Sequence, residues 1–228
     1  MCIRDRVYTT PWDNYLVATG VWWYDPALVN GLTIGWVPIE EYTFFVLQPI
    51  FSSLLLLAVM QLWQTTSSAI DRPRARLISV AGVGLIWLIS VIVLLSGWQP
   101  GVYLGLELGW ALPPIILQLA FGADILWHYG KRVALAVLAP TIYLSAADAL
   151  AINIGIWTIN PEQSLHWLIG GILPFEEFIF FLLTNTLIVF GVTLSLAPSS
   201  RERFQSVKDW LASRVPAAKR NMQRSAEF

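Results

Sequence analysis

The sequence is poor in charge, in cysteine and in histidine. Only 13% of its 228 residues are charged, whereas about 25% is usual for a soluble domain. The single cysteine, Cys2, excludes an intrachain disulfide and a cysteine-based metal site. Two histidines are too few for a histidine-rich metal cluster. Hydrophobic residues make up 56% of the chain and the mean hydropathy is +0.61, so the composition indicates that lipid is the main solvent.

Several cofactor motifs are also missing. No Gly-x-Gly-x-x-Gly pattern is present, which argues against a flavin or nicotinamide site. No pair of Asp-rich motifs is available to hold a magnesium diphosphate, which argues against a prenyltransferase. No lysine falls inside a predicted membrane span, which excludes a retinal Schiff base. The sequence therefore predicts neither a cofactor nor a metal.

Long apolar stretches predict the fold class. A membrane-crossing helix needs roughly 20 mostly apolar residues. Five stretches meet this requirement, at about 39–63, 77–97, 103–127, 133–153 and 172–196. Residues 10–24 resemble the end of a sixth span, and the joints are rich in turn residues. We expect an all-α, polytopic transmembrane helix bundle with about five full spans and one partial span.

Basic residues occupy alternate joints of this predicted bundle. Three arginines lie at positions 72, 74 and 76, a Lys-Arg pair lies at 131–132, and seven more basic residues follow Pro198. Lysine and arginine are missing from the other three joints, at about 25–38, 98–102 and 154–171. This positive-inside pattern predicts a cytoplasmic C-terminus, in a membrane that we expect to be the cell membrane. Trp22 and Trp157 are among the tryptophans expected at the outer interface.

An acidic-aromatic segment occurs twice, as Pro-Ile-Glu-Glu-Tyr-Thr-Phe-Phe at 38–45 and Pro-Phe-Glu-Glu-Phe-Ile-Phe-Phe at 174–181. Four upstream matches share an offset of 135 residues: Asp13/Asp148, Gly20/Gly155, Trp22/Trp157 and Pro26/Pro161. Five matches in the segments share an offset of 136: Pro38/Pro174, Glu40/Glu176, Glu41/Glu177, Phe44/Phe180 and Phe45/Phe181. One extra residue in the second connecting loop explains the change. The common orientation predicts a parallel internal repeat.

The repeat also predicts how the chain is divided. Three helices, a linking helix and three further helices form the expected arrangement, and the first copy is expected to be incomplete. The predicted divisions are a non-native scar at 1–6, the remnant of the first repeat at 7–63, the linking helix at 77–97, the second repeat at 103–197 and a basic cytoplasmic tail at 198–228.

The Pro-x-Glu-Glu pattern allows two interpretations. Proline in the first turn of a helix is favourable, and acidic residues there complement the helix dipole, so the pattern alone could be structural. Its duplication favours a function, because ionisable groups within or beside a span are costly and usually functional. Each glutamate also lies four residues before a phenylalanine, which places carboxyl and ring on one helix face.

A carboxyl group beside aromatic rings in a dry site suggests acid-catalysed carbocation chemistry. A neutral acid can protonate an alkene, ring faces stabilise a cation, and exclusion of water keeps the cation from being trapped. Asp13 and Asp148 are candidates for a proton relay or for supporting the glutamates, and a hydrogen bond between helices is the alternative. Glu107 is a weaker candidate because it has no visible counterpart in the repeat.

These residues resemble the integral-membrane, non-flavin lycopene cyclase domain family, found as two small subunits or as one fused chain. Both Pro38-Ile39-Glu40-Glu41 and Pro174-Phe175-Glu176-Glu177 match its hallmark, and the resemblance extends from Pro11 to about Leu196. It implies cyclisation of lycopene ends to β-ionone rings, giving β-carotene, an isomerisation without redox change. The implied acid and base are among Glu40, Glu41, Glu176 and Glu177, and Phe44, Phe45, Phe180 and Phe181 would stabilise the cation and pack the polyene.

The assignment of acid and base stays open, and a working pair could join one glutamate from each copy because successive helix residues point about 100° apart. The expected partners are lycopene, membrane lipid and other carotenoid enzymes, with no nucleic acid. One alternative is a carotenoid cyclase with another substrate or end group. Another is a transporter or channel with an acidic ion site. It is disfavoured because no span shows, in both copies, the Gly/Pro-interrupted character of a midplane ion site.

Overall fold

The computed structural model describes residues 2–63 and 71–214. Seven α-helices occur in these ranges: α1 (Cys2–Ala18), α2 (Ile39–Leu62), α3 (Pro73–Leu95), α4 (Val102–His128), α5 (Gly130–Ile154), α6 (Phe175–Leu196) and α7 (Pro198–Arg214). Six short strands accompany them: β1 (Trp22–Tyr24), β2 (Thr33–Ile34), β3 (Val37–Pro38), β4 (Trp157–Ile159), β5 (Leu168–Ile169) and β6 (Leu173–Pro174).

Five of these helices, α2 to α6, are long and apolar enough to cross a membrane. The prediction of an all-α polytopic bundle is therefore confirmed. The expected partial span at 10–24 is wrong in its second half, because α1 ends at Ala18 and the chain turns at Gly20. The φ of Gly20 is 69°, a left-handed conformation that favours glycine. Residues 22–24 then form β1 instead of continuing the helix.

Helix α6 lies at the centre of the bundle. It packs against α4 and α5 and also contacts α2, which itself packs against α5. Helix α3, which corresponds to the predicted linking helix, packs along α4. A core of aliphatic side chains fills the space between these helices, with Leu56, Ile125 and Val189 among its fully buried members.

Helix α7 is attached to the bundle by Arg203. Both Nη atoms of Arg203 donate to the Asp124 carboxylate, at 2.9 and 2.8 Å, and Nη2 also donates to Asp71 at 3.0 Å. The backbone N–H of Arg72 donates to the same Asp124 carboxylate at 3.0 Å. The hydrogen bond to Asp124 raises the pKa of Arg203. The first part of the predicted basic tail is thus a docked helix, and residues 215–228 of that prediction lie outside the described residues.

A short antiparallel ribbon joins the two halves of the chain. Strand β1 pairs with β4 in the register Trp22↔Ile159, Trp23↔Thr158 and Tyr24↔Trp157. Two further backbone bonds extend the ribbon, from Asp25 N to Ile156 O at 2.9 Å and from Asn160 N to Val21 O at 2.8 Å. Each half therefore contributes one strand, at positions 135 residues apart in the sequence.

A hairpin precedes each of the two glutamate helices. The β2–β3 hairpin has a two-residue loop at 35–36 and the β5–β6 hairpin has a three-residue loop at 170–172. The extra residue lies where the sequence offset changes from 135 to 136, which supports the predicted repeat, although the domain divisions stay a prediction. Pro38 and Pro174 end β3 and β6 and adopt extended conformations. They therefore precede the first helical turn instead of lying within it.

Candidate active site

One cavity of about 290 Å³ lies where the two glutamate helices meet the ribbon. Helices α1, α2, α4, α5 and α6 and the strands β1 and β4 all contribute to its wall. The lining residues are Trp12, Trp22, Glu40, Glu41, Phe44, Tyr103, Leu144, Ala147, Asp148, Trp157, Glu177, Phe180 and Phe181. Three carboxylates from the two segments and one from α5 thus face an otherwise aromatic and aliphatic space.

Glu41 and Glu177, the second glutamates of the two segments, both line this cavity. Glu177 is 7% exposed, and the buried Tyr103 hydroxyl donates a hydrogen bond to its Oε1 at 2.6 Å. Glu41 is half-buried at the start of α2. The structure therefore brings together one glutamate from each segment, which is the geometry expected of a working pair drawn from both.

Glu40 and Glu176, the first glutamates, each hold a loop. Glu40 Oε1 accepts from Asn30 N at 2.8 Å, and Glu176 Oε1 accepts from Leu165 N at 2.6 Å. Glu40 is exposed and touches the cavity, whereas Glu176 is fully buried and is not part of the cavity wall. The first glutamate of each pair thus orders the chain ahead of its helix.

The four predicted phenylalanines are divided between two cavities. Phe44, Phe180 and Phe181 line the cavity that holds the carboxyl groups, and Phe45 lines a neighbouring one. The rings of Phe44 and Phe181 meet edge to face with centroids 6.0 Å apart, and those of Phe180 and Phe181 do so at 5.3 Å. Aromatic side chains from both segments therefore form one wall.

Asp13 and Asp148 flank the cavity in different ways. Asp148 is 4% exposed and lines the cavity, where it interacts with the Trp157 side chain. Asp13 is 1% exposed, and neither of its carboxylate oxygens has a hydrogen-bond partner among the described residues. Asp13 belongs to α1, outside the five apolar spans, where burial and then the charge of Glu177 raise its pKa to about 7.

The profile of a family described as lycopene cyclase matches residues 7–61 and 100–194. These two segments hold both glutamate pairs and every residue of the cavity wall. The chain belongs to the lycopene cyclase family. The matched segments leave out α3, the predicted linking helix, and α7.

Two kinds of curated relative are similar to this lycopene cyclase family member. The lycopene beta-cyclase of Halobacterium salinarum (strain ATCC 29341 / DSM 671 / R1) is 40% identical over 187 residues, covering 82% of this chain and 76% of the relative. The bifunctional lycopene cyclase/phytoene synthase of Podospora anserina is 35% identical, covering 82% of this chain and 32% of the fungal protein. That of Sporisorium reilianum is 38% identical, covering 80% and 28%. This chain therefore spans about a third of these fungal proteins, and no solved structure matches it.

Four aromatic residues of the cavity wall in this cyclase are not among the predicted site residues. Trp22 and Trp157 are predicted at the outer membrane interface. In the structure both line the cavity at the ribbon of β1 and β4, and Trp22 is 8% exposed. Their recurrence in the repeat beside the aspartates was the signal that could have found them. Trp12 and Tyr103 have no matching aromatic residue in the other half, so the repeat gave no signal for them.

Glu107 is more central to the cyclase site than the sequence indicated. It is fully buried in α4, and neither of its carboxylate oxygens has a well-formed hydrogen bond among the described residues. It interacts with the Tyr103 hydroxyl and lies within electrostatic range of Glu177 and Glu176. The carboxyl cluster therefore includes Glu107, which is not part of the cavity wall.

Proposed function

We propose that this chain is a lycopene β-cyclase that converts the open ends of lycopene into β-ionone rings and so forms β-carotene. One observation carries the proposal: Glu41 and Glu177, one from each segment, line a single cavity walled by aromatic rings. Membership of the lycopene cyclase family and the similarity to the Halobacterium lycopene beta-cyclase support it. The reaction is an isomerisation, so it needs no oxidant or reductant.

In the proposed reaction, the Glu41/Glu177 pair gives and takes one proton. A neutral carboxyl of the pair protonates the terminal double bond, forming a C–H bond and a tertiary cation. A neighbouring double bond attacks this cation, and the new C–C bond closes the ring. A carboxylate then removes a proton from the carbon beside the new cationic centre, which leaves the ring double bond. The proposal assigns proton transfer to the pair and not to either member.

The aromatic wall stabilises the cation in this proposal. Phe44, Phe180 and Phe181 come from the two segments, and Trp12 stacks on Phe180 with the rings 5° from parallel. A ring face contributes about 0.5–2 kcal/mol to the binding of a nearby cation. The same side chains exclude water, which would otherwise trap the cation as an alcohol.

The remaining acidic residues have supporting roles in the proposal. Glu40 and Glu176 fix the loops that precede α2 and α6, through the backbone N–H groups of Asn30 and Leu165. Asp148, which interacts with Trp157, supports the charge distribution around the Glu41/Glu177 pair or relays its proton. Asp13 has the same supporting role from α1.

We also propose a location and surroundings for the enzyme. The five apolar helices make it a membrane protein. The basic residues at 72–76, 131–132 and after Pro198 favour a cytoplasmic C-terminus in the cell membrane. Lycopene reaches the site from the lipid, and association with other carotenoid enzymes would supply it directly.

Lycopene-producing cells provide the test. Expression of the unmodified chain is expected to yield β-carotene, measured by chromatography of extracted pigments. Glu41→Gln and Glu177→Gln each remove a titratable group and are expected to lower the yield at least about a hundredfold, since proton transfer by a positioned group contributes about 10²–10⁴-fold.

Glu162→Gln is the matched control, because Glu162 is exposed and lies outside the cavity. Its pigment should equal that of the unmodified chain at equal protein level by immunoblot. Unchanged β-carotene in both Glu41→Gln and Glu177→Gln would overturn the assignment of the pair. A cyclised product with a different ring would instead indicate a related carotenoid cyclase.

A further inference from the structure

A second cavity of about 400 Å³ adjoins the first. Helices α1, α2, α4 and α6 form its wall, and Phe180 lines both cavities. Ile50 and Leu54 of α2 are also part of this wall and are 46% and 60% exposed, so the cavity lies next to the outer surface of an apolar helix. The second cavity therefore lies between the neighbourhood of the carboxyl cluster and the exposed apolar surface of α2.

A stack of four aromatic rings leads from one cavity to the other. Phe180 stacks on Trp12 at 6.0 Å, Trp12 on Trp110 at 4.7 Å and Trp110 on Tyr8 at 5.7 Å, with interplanar angles of 5°, 19° and 19°. Trp12 lines the first cavity, and Trp110 and Tyr8 line the second. The rings are fixed by hydrogen bonds from Trp12 Nε1 to the Leu106 carbonyl at 3.2 Å and from the Tyr8 hydroxyl to the Trp110 carbonyl at 2.7 Å.

The polar side chains of the second cavity are mostly turned to protein partners. Gln48 Nε2 donates to Thr184 Oγ1 at 2.7 Å, and Gln118 Nε2 donates to the Leu187 carbonyl at 3.0 Å. Gln118 Oε1 is buried and has no hydrogen-bond partner among the described residues. With the amide donors occupied, the space offers mainly carbon atoms to a ligand.

We propose that the second cavity and its aromatic stack bind the conjugated chain of a polyene whose end occupies the first cavity. The first cavity is at the lower limit of the roughly 300–1,000 Å³ usual for ligand sites, so it holds an end group and not a whole carotenoid. Nearly parallel rings offer flat faces to a flat conjugated chain, and many weak dispersion contacts add up along it. This inference rests on the proposed function and names where the rest of its substrate lies.

Filling the second cavity tests the proposal. Ser53→Trp on α2 and Ile188→Trp on α6 each place a large ring in the second cavity, far along the wall from Glu41 and Glu177. Leu47→Trp is the matched control, because Leu47 is 58% exposed on α2 and lines neither cavity. Lycopene is titrated into each purified protein in detergent, and the shift of its visible absorption band on binding gives the affinity.

We expect Ser53→Trp and Ile188→Trp to bind lycopene at least about tenfold more weakly, a change of about 1.4 kcal/mol, and Leu47→Trp to bind within about twofold of the unmodified chain. Far-UV circular dichroism establishes that each variant is folded. Both filled variants should still cyclise a short acyclic terpenoid that carries the same end group, because the first cavity is untouched.

Unchanged lycopene affinity in folded Ser53→Trp and Ile188→Trp would overturn the proposal. So would an equal loss of activity on lycopene and on the short terpenoid, since it would mean that the substitutions act on the first cavity. If the filled variants bind lycopene more weakly but the unmodified chain yields no cyclised product, the proposed function fails while the binding site stands.

Discussion

The two glutamate segments share a sequence pattern and a preceding hairpin but differ in burial. Glu176 is fully buried and Glu177 is 7% exposed, whereas Glu40 is exposed and Glu41 is half-buried. The difference follows from the neighbours, because α6 lies between α4 and α5, while α2 packs mainly against α5 and α6. A repeated motif thus sets where a carboxyl lies, and the surrounding helices set its environment. Equivalent substitutions in the two segments should therefore have unequal effects.

The largest such effect is expected at Tyr103, which supports Glu177 of the second segment. Tyr103→Phe removes the 2.6 Å hydrogen bond to Glu177 Oε1. A hydrogen bond to a charged group contributes about 1.5–3 kcal/mol, so the rate of lycopene cyclisation should fall by about ten- to a hundredfold. Tyr143→Phe, at a 62% exposed position on α5, is the control. A Tyr103→Phe rate equal to that control would mean that Glu177 works without this support.

A smaller difference is expected between the two loop-holding glutamates. Glu176→Ala removes a fully buried carboxylate and leaves the partly buried Leu165 N–H without its partner, so it should lower the free energy of unfolding by about 1–3 kcal/mol. Glu40→Ala exposes the Asn30 N–H to solvent and should cost less than about 1 kcal/mol. Thermal unfolding in detergent measures both. Equal losses would show that burial does not distinguish the two segments.

The smallest difference is expected at the paired tryptophans of the ribbon. Trp157→Phe removes the indole N–H that interacts with Asp148 and should lower the free energy of unfolding by about 1 kcal/mol. Trp22→Phe removes an indole N–H that has no hydrogen-bond partner among the described residues, so its effect should be smaller. The same unfolding measurement applies. A greater loss of unfolding free energy in Trp22→Phe than in Trp157→Phe would contradict this prediction.

The helices were predictable because a span needs a long apolar stretch, and α2 to α6 each have one. The strands were not, since β1 and β4 have three residues each and are too short to show a period of two. Their pairing depends on the two halves meeting in space. The early end of α1 was missed for a related reason, because the apolar character continues past Ala18 while Gly20 turns the chain.

The carboxyl groups were found because their pattern occurs twice, and the structure places Glu41 and Glu177 in one cavity. Their catalytic roles stay a prediction. Tyr103 was not predicted from the sequence, and Glu107 was predicted only as a weaker candidate. Both residues approach the carboxyl groups because α4 lies beside α6, and no local motif indicates that packing. The difference in burial between the two glutamate pairs was likewise not predictable, since the sequence pattern does not indicate which helices pack around each pair.

The ribbon of β1 and β4 affects how a substrate can enter the cavity. Its backbone bonds hold Trp22 and Trp157 as fixed parts of the cavity wall, so opening the site on that side would mean unzipping the two halves of the molecule. We do not expect a hydrocarbon that is dissolved in the bilayer to enter through the ribbon. The ribbon therefore closes one side of the cavity, and a lipid-soluble substrate is expected to enter and leave between the helices instead.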